Sequence, residues 1–476
     1  MKLSRILMAF VALVLVAGVS FGATSAQATT KALATNYTLV NLSPTSTDAT
    51  VYYYLQDGSQ WKAPDNLTIA GNGGQAIVRQ YNDAALPAGR GSAMVTSMQP
   101  LAGLVQQIVD PAVSQVPTSG AYVAINTGSS KFYLPQVARN ASSATGNANS
   151  WIIIQNLGDT PVNVAVEFTK YGASTPFYTK NLTGIASGAS YYYDLSLETN
   201  LDAGFYSASI DAGTGTIGVV SDLFFGADGL MAFNAFAQEA VASSWKIPLV
   251  YSRLTNTLTT SVIVQNLDGA SLPVGDVSMV CTPDPSSPDQ STLNISNTAA
   301  IPDKGILAWN TLTQTSIFPA NWYGPCTVSS ASGGNIVALL LYRYTGTGDQ
   351  AGYEAIPGTA TDTKVFVPLA AKTLSNKFCT AITVMNLSNS AITVNMTWTG
   401  AGSFSTYTET AVAIPANGSV IRNLCMSSQP TGVPMPAGWT GTFSATGTGP
   451  ISAYVANRYN PSSGDQFMAY LGITQP

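Results

Sequence analysis

The residues able to do chemistry are few, and their types narrow the choice at once. The chain has no histidine. That removes Ser-His-Asp and Cys-His nucleophiles, imidazole metal ligands and the commonest general base. Paired carboxylates remain, because glycoside hydrolysis needs only two. The acids Asp57, Asp83, Glu167, Asp194, Asp222, Glu354 and Glu409 occupy different places along the chain, and nothing in their spacing brings two together. They are expected to be solvated turn and rim groups. Two looser groups, Asp284 with Asp289 and Asp194 with Glu198 and Asp202, could offer oxygens to calcium. Neither has the dense alternation of an EF-type loop. No catalytic residue, metal or cofactor is expected, and the chain is not expected to be an enzyme.

Two further residue types stand out. The four cysteines, Cys281, Cys326, Cys379 and Cys425, all lie beyond residue 280. In an exported chain they are expected to pair as Cys281–Cys326 and Cys379–Cys425. Each loop of about 45 residues would stabilise by roughly 4 kcal/mol in the chain-entropy account. The runs Tyr52-Tyr53-Tyr54 and Tyr191-Tyr192-Tyr193 are strand-like. On a strand the middle ring points away from its neighbours. Tyr52, Tyr54, Tyr191 and Tyr193 are therefore candidate surface contacts, for sugar stacking or for another subunit.

The elements that carry these residues are repeated. A β-branched run ending in Asn-Leu occurs four times, placing Asn41, Asn156, Asn266 and Asn386 at separations of 115, 110 and 120 residues. That period is a whole sandwich domain, not a solenoid turn. Each Asn is expected to serve a turn. The landmarks that follow keep one order. An alternating strand comes first, then an Ile-containing turn with glycine (Ile69, Ile185, Ile301, Ile414), a Gly-containing loop, and a late apolar strand. Segments with a central proline, FYLPQV, WKIPLV and VFVPLA, precede the second, third and fourth copies. They read as first strands, with proline at an edge or bulge. No such segment precedes Asn41, so the first strand of that copy is short, absent or supplied by something else.

Period-2 alternation is common and long helical periods are lacking. The expectation is an all-β chain of four tandem Ig-like antiparallel β-sandwich domains after a signal peptide. The boundaries fall at 1–28 for the leader, then 29–130, 131–244, 245–363 and 364–476.

The leader has Lys2 and Arg5, an apolar core from Ile6 to Val19, and a small-x-small site at Ala26-Gln27-Ala28. This is a bacterial-style signal peptide, with Thr29 as the expected first mature residue. Removing Lys2 and Arg5 from the 19 basic residues leaves 17 against 24 acidic, a net charge of −7. Without a basic patch, nucleic acid is not an expected partner. No second apolar run reaches spanning length, so no transmembrane segment is expected in the mature chain.

The chain resembles tandem-repeat exported surface proteins of bacteria built from V-Q-N-L β-sandwich units. The residues that carry the likeness are Val264-Gln265-Asn266-Leu267, Ile414-Pro415-Ala416-Asn417-Gly418 and Pro436-Ala437-Gly438-Trp439-Thr440-Gly441. The resemblance implies a secreted, extracellular or cell-surface place, with no activity attached. The expected role is a non-catalytic structural subunit of a surface layer, sheath or filament, acting through self-association. The alternative is a surface binding protein or adhesin that recognises a cell-surface glycan. Docked end to end, four such units would make a rod of roughly 100–160 Å.

Overall fold

A computed structural model of the chain describes residues 8–12, 33–80, 83–109, 118–143, 146–173, 175–226, 229–254, 257–346, 348–426, 435–459 and 465–475. Most of the expected signal peptide, including its cleavage site, lies outside the described residues. The regular structure of the described chain is almost entirely strand, with 3-10 turns such as Leu195–Leu197 and Gln238–Ala240 between. The strands form eight antiparallel sheets, two for each copy of the repeat. This is the all-β sandwich class read from the alternation.

The second copy shows the plan. One sheet runs Tyr178–Ile185, Val162–Lys170, Gly204–Asp211, Lys131–Arg139, Phe236–Ala237. The other contains Gly146–Asn156 between Ser190–Asp194 and Ile217–Phe225, with Gly229–Asn234 outermost. The proline-containing segments are first strands, at Lys131–Arg139, Ser244–Ser252 and Lys364–Ala371. In all three the ladder slips where the proline sits, around Pro135, Pro248 and Pro368. A residue with no N–H can be placed there without breaking a hydrogen bond.

Each repeat asparagine is buried and ties two turns together. Asn266 Nδ2 donates to the carbonyls of Ala270 at 2.7 Å, Ile301 at 2.8 Å and Pro302 at 3.0 Å, while its Oδ1 accepts from the Asp268 amide at 2.9 Å. Asn41, Asn156 and Asn386 repeat the arrangement, donating to Ile69, Ile185 and Ile414 and accepting from Ser43, Gly158 and Ser388. The side chain thus fixes the Ile-containing turn against the strand end. Near the tip of that turn sits Gly73, Gly188, Lys304 or Asn417, every one at positive φ, between 54° and 84°. Glycine takes that conformation freely, and asparagine tolerates it better than most residues.

The four turns are also docking points. Ser92 Oγ in copy one donates to Gly188 O in copy two at 2.6 Å. Ser207 Oγ in copy two donates to Lys304 O in copy three at 2.7 Å. Lys246 in copy three, bonded to Thr327, donates to Asn417 Oδ1 in copy four at 2.6 Å. Thr442 in copy four meets Gly73 O in copy one at 3.5 Å, and Gln75 of copy one donates to Pro368 O of copy four at 2.6 Å. One head-to-tail contact, used four times, returns to its start. Such a heterologous contact closes a ring when its rotation permits.

The outermost strands Ser119–Val123, Gly229–Asn234, Gln350–Glu354 and Phe467–Leu471 pack on one another in cyclic order at the centre. The rod expectation is therefore overturned. The late apolar strands explain why: Ile217–Phe225 is buried at every position and Ile336–Tyr344 at all but one. One face of each fills its own sandwich and the other covers a neighbour, so an end-to-end rod would leave apolar surface in water. Trp151 and Ile153 of copy two, for example, pack into the core of copy one.

Two outcomes are expected. Small-angle scattering of the chain from Thr29 onward should give a radius of gyration of about 22 Å, the value for one compact body of that length; a value above about 30 Å would mean the units are strung out. Asn266→Ala should lower the unfolding free energy by about 3 kcal/mol, read as a lower urea midpoint, because buried carbonyls lose their donor.

Candidate functional site

The cysteines are joined as Cys281–Cys326 and Cys379–Cys425. The first links adjacent strands, Val277–Cys281 and Trp322–Ser330. The second ties the start of the Asn-Leu strand of copy four to the loop after Ser419–Asn423.

Most acids are spent on local partners. Asp57 accepts from the Ser59 amide, Asp194 from Ser196, Asp284 from Ser286 and Asp289 from Ser291. Asp83 pairs with Lys62, Glu167 with Lys304 and Asp202 with Lys170. Glu409 pairs with Arg422 at 2.8 Å. Burial alone would raise Glu198, but the Asn200 amide, Tyr193, the Asn200 side chain and Lys180 outweigh it and hold its carboxyl at about 2. Among the described residues no group of three or more acids or cysteines is placed to hold a metal ion.

Asp222 and Glu354 differ from this pattern and from the solvated role expected of them. Asp222 is fully buried, and Glu354 is half-buried with one carboxyl oxygen out of solvent, rather than either standing on a rim. Burial pushes each up to about 7, only partly opposed by the Gln107 amide at Asp222 and by backbone N–H groups at Glu354. Gln107 belongs to copy one and Asp222 to copy two, 3.0 Å apart, so this bond crosses an interface.

The ring axis carries polar groups that sequence reading did not single out. Asp465, in copy four, accepts from the Leu230 amide of copy two at 2.7 Å and the Gln350 amide of copy three at 2.8 Å. Its main chain bridges to Thr118 of copy one. A single residue thus joins all four copies, and burial drives its carboxyl well above the usual carboxylate range. Beside it Asp349 accepts from Arg458 at 2.9 Å. Tyr353 stacks on Tyr454 with centroids 4.6 Å apart.

A sequence signal for this centre existed. Ala121-Tyr122-Val123-Ala124-Ile125 recurs as Ala232-Phe233-Asn234-Ala235-Phe236, Gly352-Tyr353-Glu354-Ala355-Ile356 and Ala469-Tyr470-Leu471-Gly472-Ile473. The small residue lets neighbouring strands approach: a Cβ on Gly352 would lie 3.3 Å from the Phe233 ring.

The tyrosine candidates divide. Tyr52 and Tyr191 are exposed, at 37% and 38%. Tyr193 is buried and donates to Glu198 at 2.8 Å, so it is not a surface contact. Tyr54 lies against Gly188 at the junction of copies one and two. The middle rings do point the other way. Tyr53 enters the core, and Tyr192 reaches across to donate to Gly91 O at 2.9 Å. The runs serve mainly the sandwich and the ring.

Between copies two and three lies a cavity of about 460 Å³, lined by Lys170, Tyr171, Phe205, Asn310, Leu312 and Arg343 among others. Tyr171 is 55% exposed there, while Arg343 Nε is buried without a partner among the described residues.

No protein-family model matches the chain, and no curated protein does. Among solved structures, a Thermotoga maritima protein, Thermotoga maritima 1070, aligns with 24% of this chain and 97% of its own at 16% identity, with a TM-score of 0.20. Red sea bream transglutaminase aligns with 49% of this chain at 12% identity and a TM-score of 0.11; the chain spans about a third of that enzyme, 31%. At these scores neither likeness bears on function.

The buried acids predict a pH dependence. Asp222 and Glu354 stay protonated in the fold while the unfolded chain ionises above about pH 4, so the unfolded state holds fewer protons between about pH 4 and 7. Their contribution to stability is full below about pH 4 and is lost as pH rises to 7. Asp222→Asn and Glu354→Gln should each flatten this slope and raise Tm at pH 8 by about 2–4 °C, with little change at pH 4, measured by calorimetry.

Proposed function

We propose that the chain is a non-catalytic extracellular structural protein, exported through the leader at residues 1–28 and used as a building block of a surface layer, sheath or filament. The observation that carries this reading is the closed head-to-tail ring, in which one chain supplies four equivalent units and a tyrosine-rich centre. Such a body is stiff, because its parts are held by buried strands rather than linkers. Two disulfides suit an oxidising compartment. Charged residues make up only 9% of the chain, so little repulsion opposes close packing between copies. The kinship with V-Q-N-L surface proteins belongs to the same proposal. Purified mature protein at high concentration should form ordered assemblies under the electron microscope. A strictly monomeric protein with no such assemblies would sink the proposal.

A second reading, a glycan-binding surface protein, is favoured by the cavity between copies two and three. An exposed tyrosine there neighbours Asn310 and Arg343, the aromatic face and polar donors that sugar rings use. Loss of glycan-array binding in Tyr171→Ala, with the ring intact, would support it.

A further inference from the structure

In copies two, three and four, one place in the fold is filled by the chain's own first strand. Lys131–Arg139 lies beside Gly204–Asp211, Ser244–Ser252 beside Trp322–Ser330, and Lys364–Ala371 beside Thr440–Gly447. Each has the final short strand of its copy on its other side: Phe236–Ala237, Ile356–Pro357 and Ile473–Gln475. The place is one strand wide.

In copy one the equivalent place, beside Gly91–Ser97, is held by Met8–Ala12, paired antiparallel from Met8↔Ser97 to Ala12↔Ala93. In the export reading these five residues belong to the leader and leave with it. The mature chain cannot replace them. Only residues 29–32 precede Leu33, which already pairs with Val109 in the opposite sheet. Four extended residues reach about 14 Å. Crossing about 10 Å between sheets and then laying down a five-residue ladder of about 17 Å needs twice that.

The exposed edge would be Gly91-Ser92-Ala93-Met94-Val95-Thr96-Ser97. It has no charge, no proline and no bulge against its other neighbour in that stretch, and Ala93 and Val95 are core residues. Natural sheets blunt free edges with charge, proline or bulges, and none is present here.

We infer that the released chain accepts into this place one extended, largely apolar strand from a partner protein, antiparallel to Gly91–Ser97. This rests on the export reading. The donor is a different protein because this chain's own strands of that kind are engaged among the described residues: three are first strands, and the last, Ile473–Gln475, pairs with Lys364–Phe366. The chemistry of the donor is that of the strand now in place, Met-Ala-Phe-Val-Ala, joined by main-chain hydrogen bonds as in other strand-addition complexes.

The test uses the chain from Thr29 to Pro476 and a synthetic peptide, Lys131–Arg139, the first strand of copy two. Saturable binding is expected, with a raised Tm and amide exchange across Gly91–Ser97 slowed about tenfold or more. A peptide carrying Phe132→Asp and Leu134→Asp should not bind. Fusing the Lys131–Arg139 strand ahead of Thr29 through a flexible linker should abolish peptide binding. Three results would overturn the inference. The edge amides could be protected in the free monomer and indifferent to peptide. The peptide could protect Gly204–Asp211 alone. The chain could form a dimer that protects Gly91–Ser97 and resists excess peptide, making the occupant a second copy. N-terminal sequencing of exported protein separates the two readings: retention of Met8–Ala12 defeats the export reading, whereas a start at Thr29 with a closed edge defeats only the strand inference.

Discussion

One buried amide side chain per copy holds this architecture together. The asparagine that ends each Asn-Leu strand bonds to its own following turn and to the Ile-containing turn some thirty residues later. A buried amide that satisfies several carbonyls is costly to replace, since each carbonyl would otherwise be left without a donor. The turn it fixes is also the one that docks on the preceding copy. Local turn chemistry and ring closure are therefore the same constraint seen at two distances. A shift of the turn would move the Gly188 or Lys304 carbonyl away from its serine across the interface.

The interior of the ring follows from that docking. Once four turns are seated, the outermost strand of every copy meets its neighbours, and the small residues at Ala121, Ala232, Gly352 and Ala469 permit close approach. Carboxyls then fall at buried positions, Asp222, Asp349 and Asp465 among them. Asp349 is matched by Arg458, whereas Asp465 is met by main-chain N–H groups from two other copies. Asp222 and Glu354 receive fewer bonds, and burial raises the proton affinity of these two as it does that of Asp465. The centre is thus a packed junction whose polar groups specify which copy sits where.

Copy one is the exception, and among the described residues its first sheet also lacks the final short strand that flanks the first strand in the other three copies. Its sheets otherwise follow the common plan, but the strand beside Gly91–Ser97 comes from residues 8–12 rather than from a proline-containing segment. The two unstapled copies and the two disulfide-linked copies share the same fold, so the bridges reinforce it without defining it.

Sequence alone determined what depends on neighbours in the chain. Alternation marked the strands, the recurring Asn-Leu marked the period, and proline marked the bulged first strands, because each is a local consequence of backbone geometry. The disulfide partners followed from two cysteines per copy. The ring, the burial of Asp222, the half-buried place of Glu354 and the inward turn of Tyr193 were decided only by tertiary structure. Their cause is contact between residues a hundred or more positions apart, and a single strand's pattern does not say whether its second apolar face meets solvent or another copy. Burial along Ile217–Phe225 and Ile336–Tyr344 was largely written in their apolar content, interrupted by Ser221-Asp222 in the first and Arg343 in the second. What those runs could not state was the partner, since hydrophobic burial has no direction of its own.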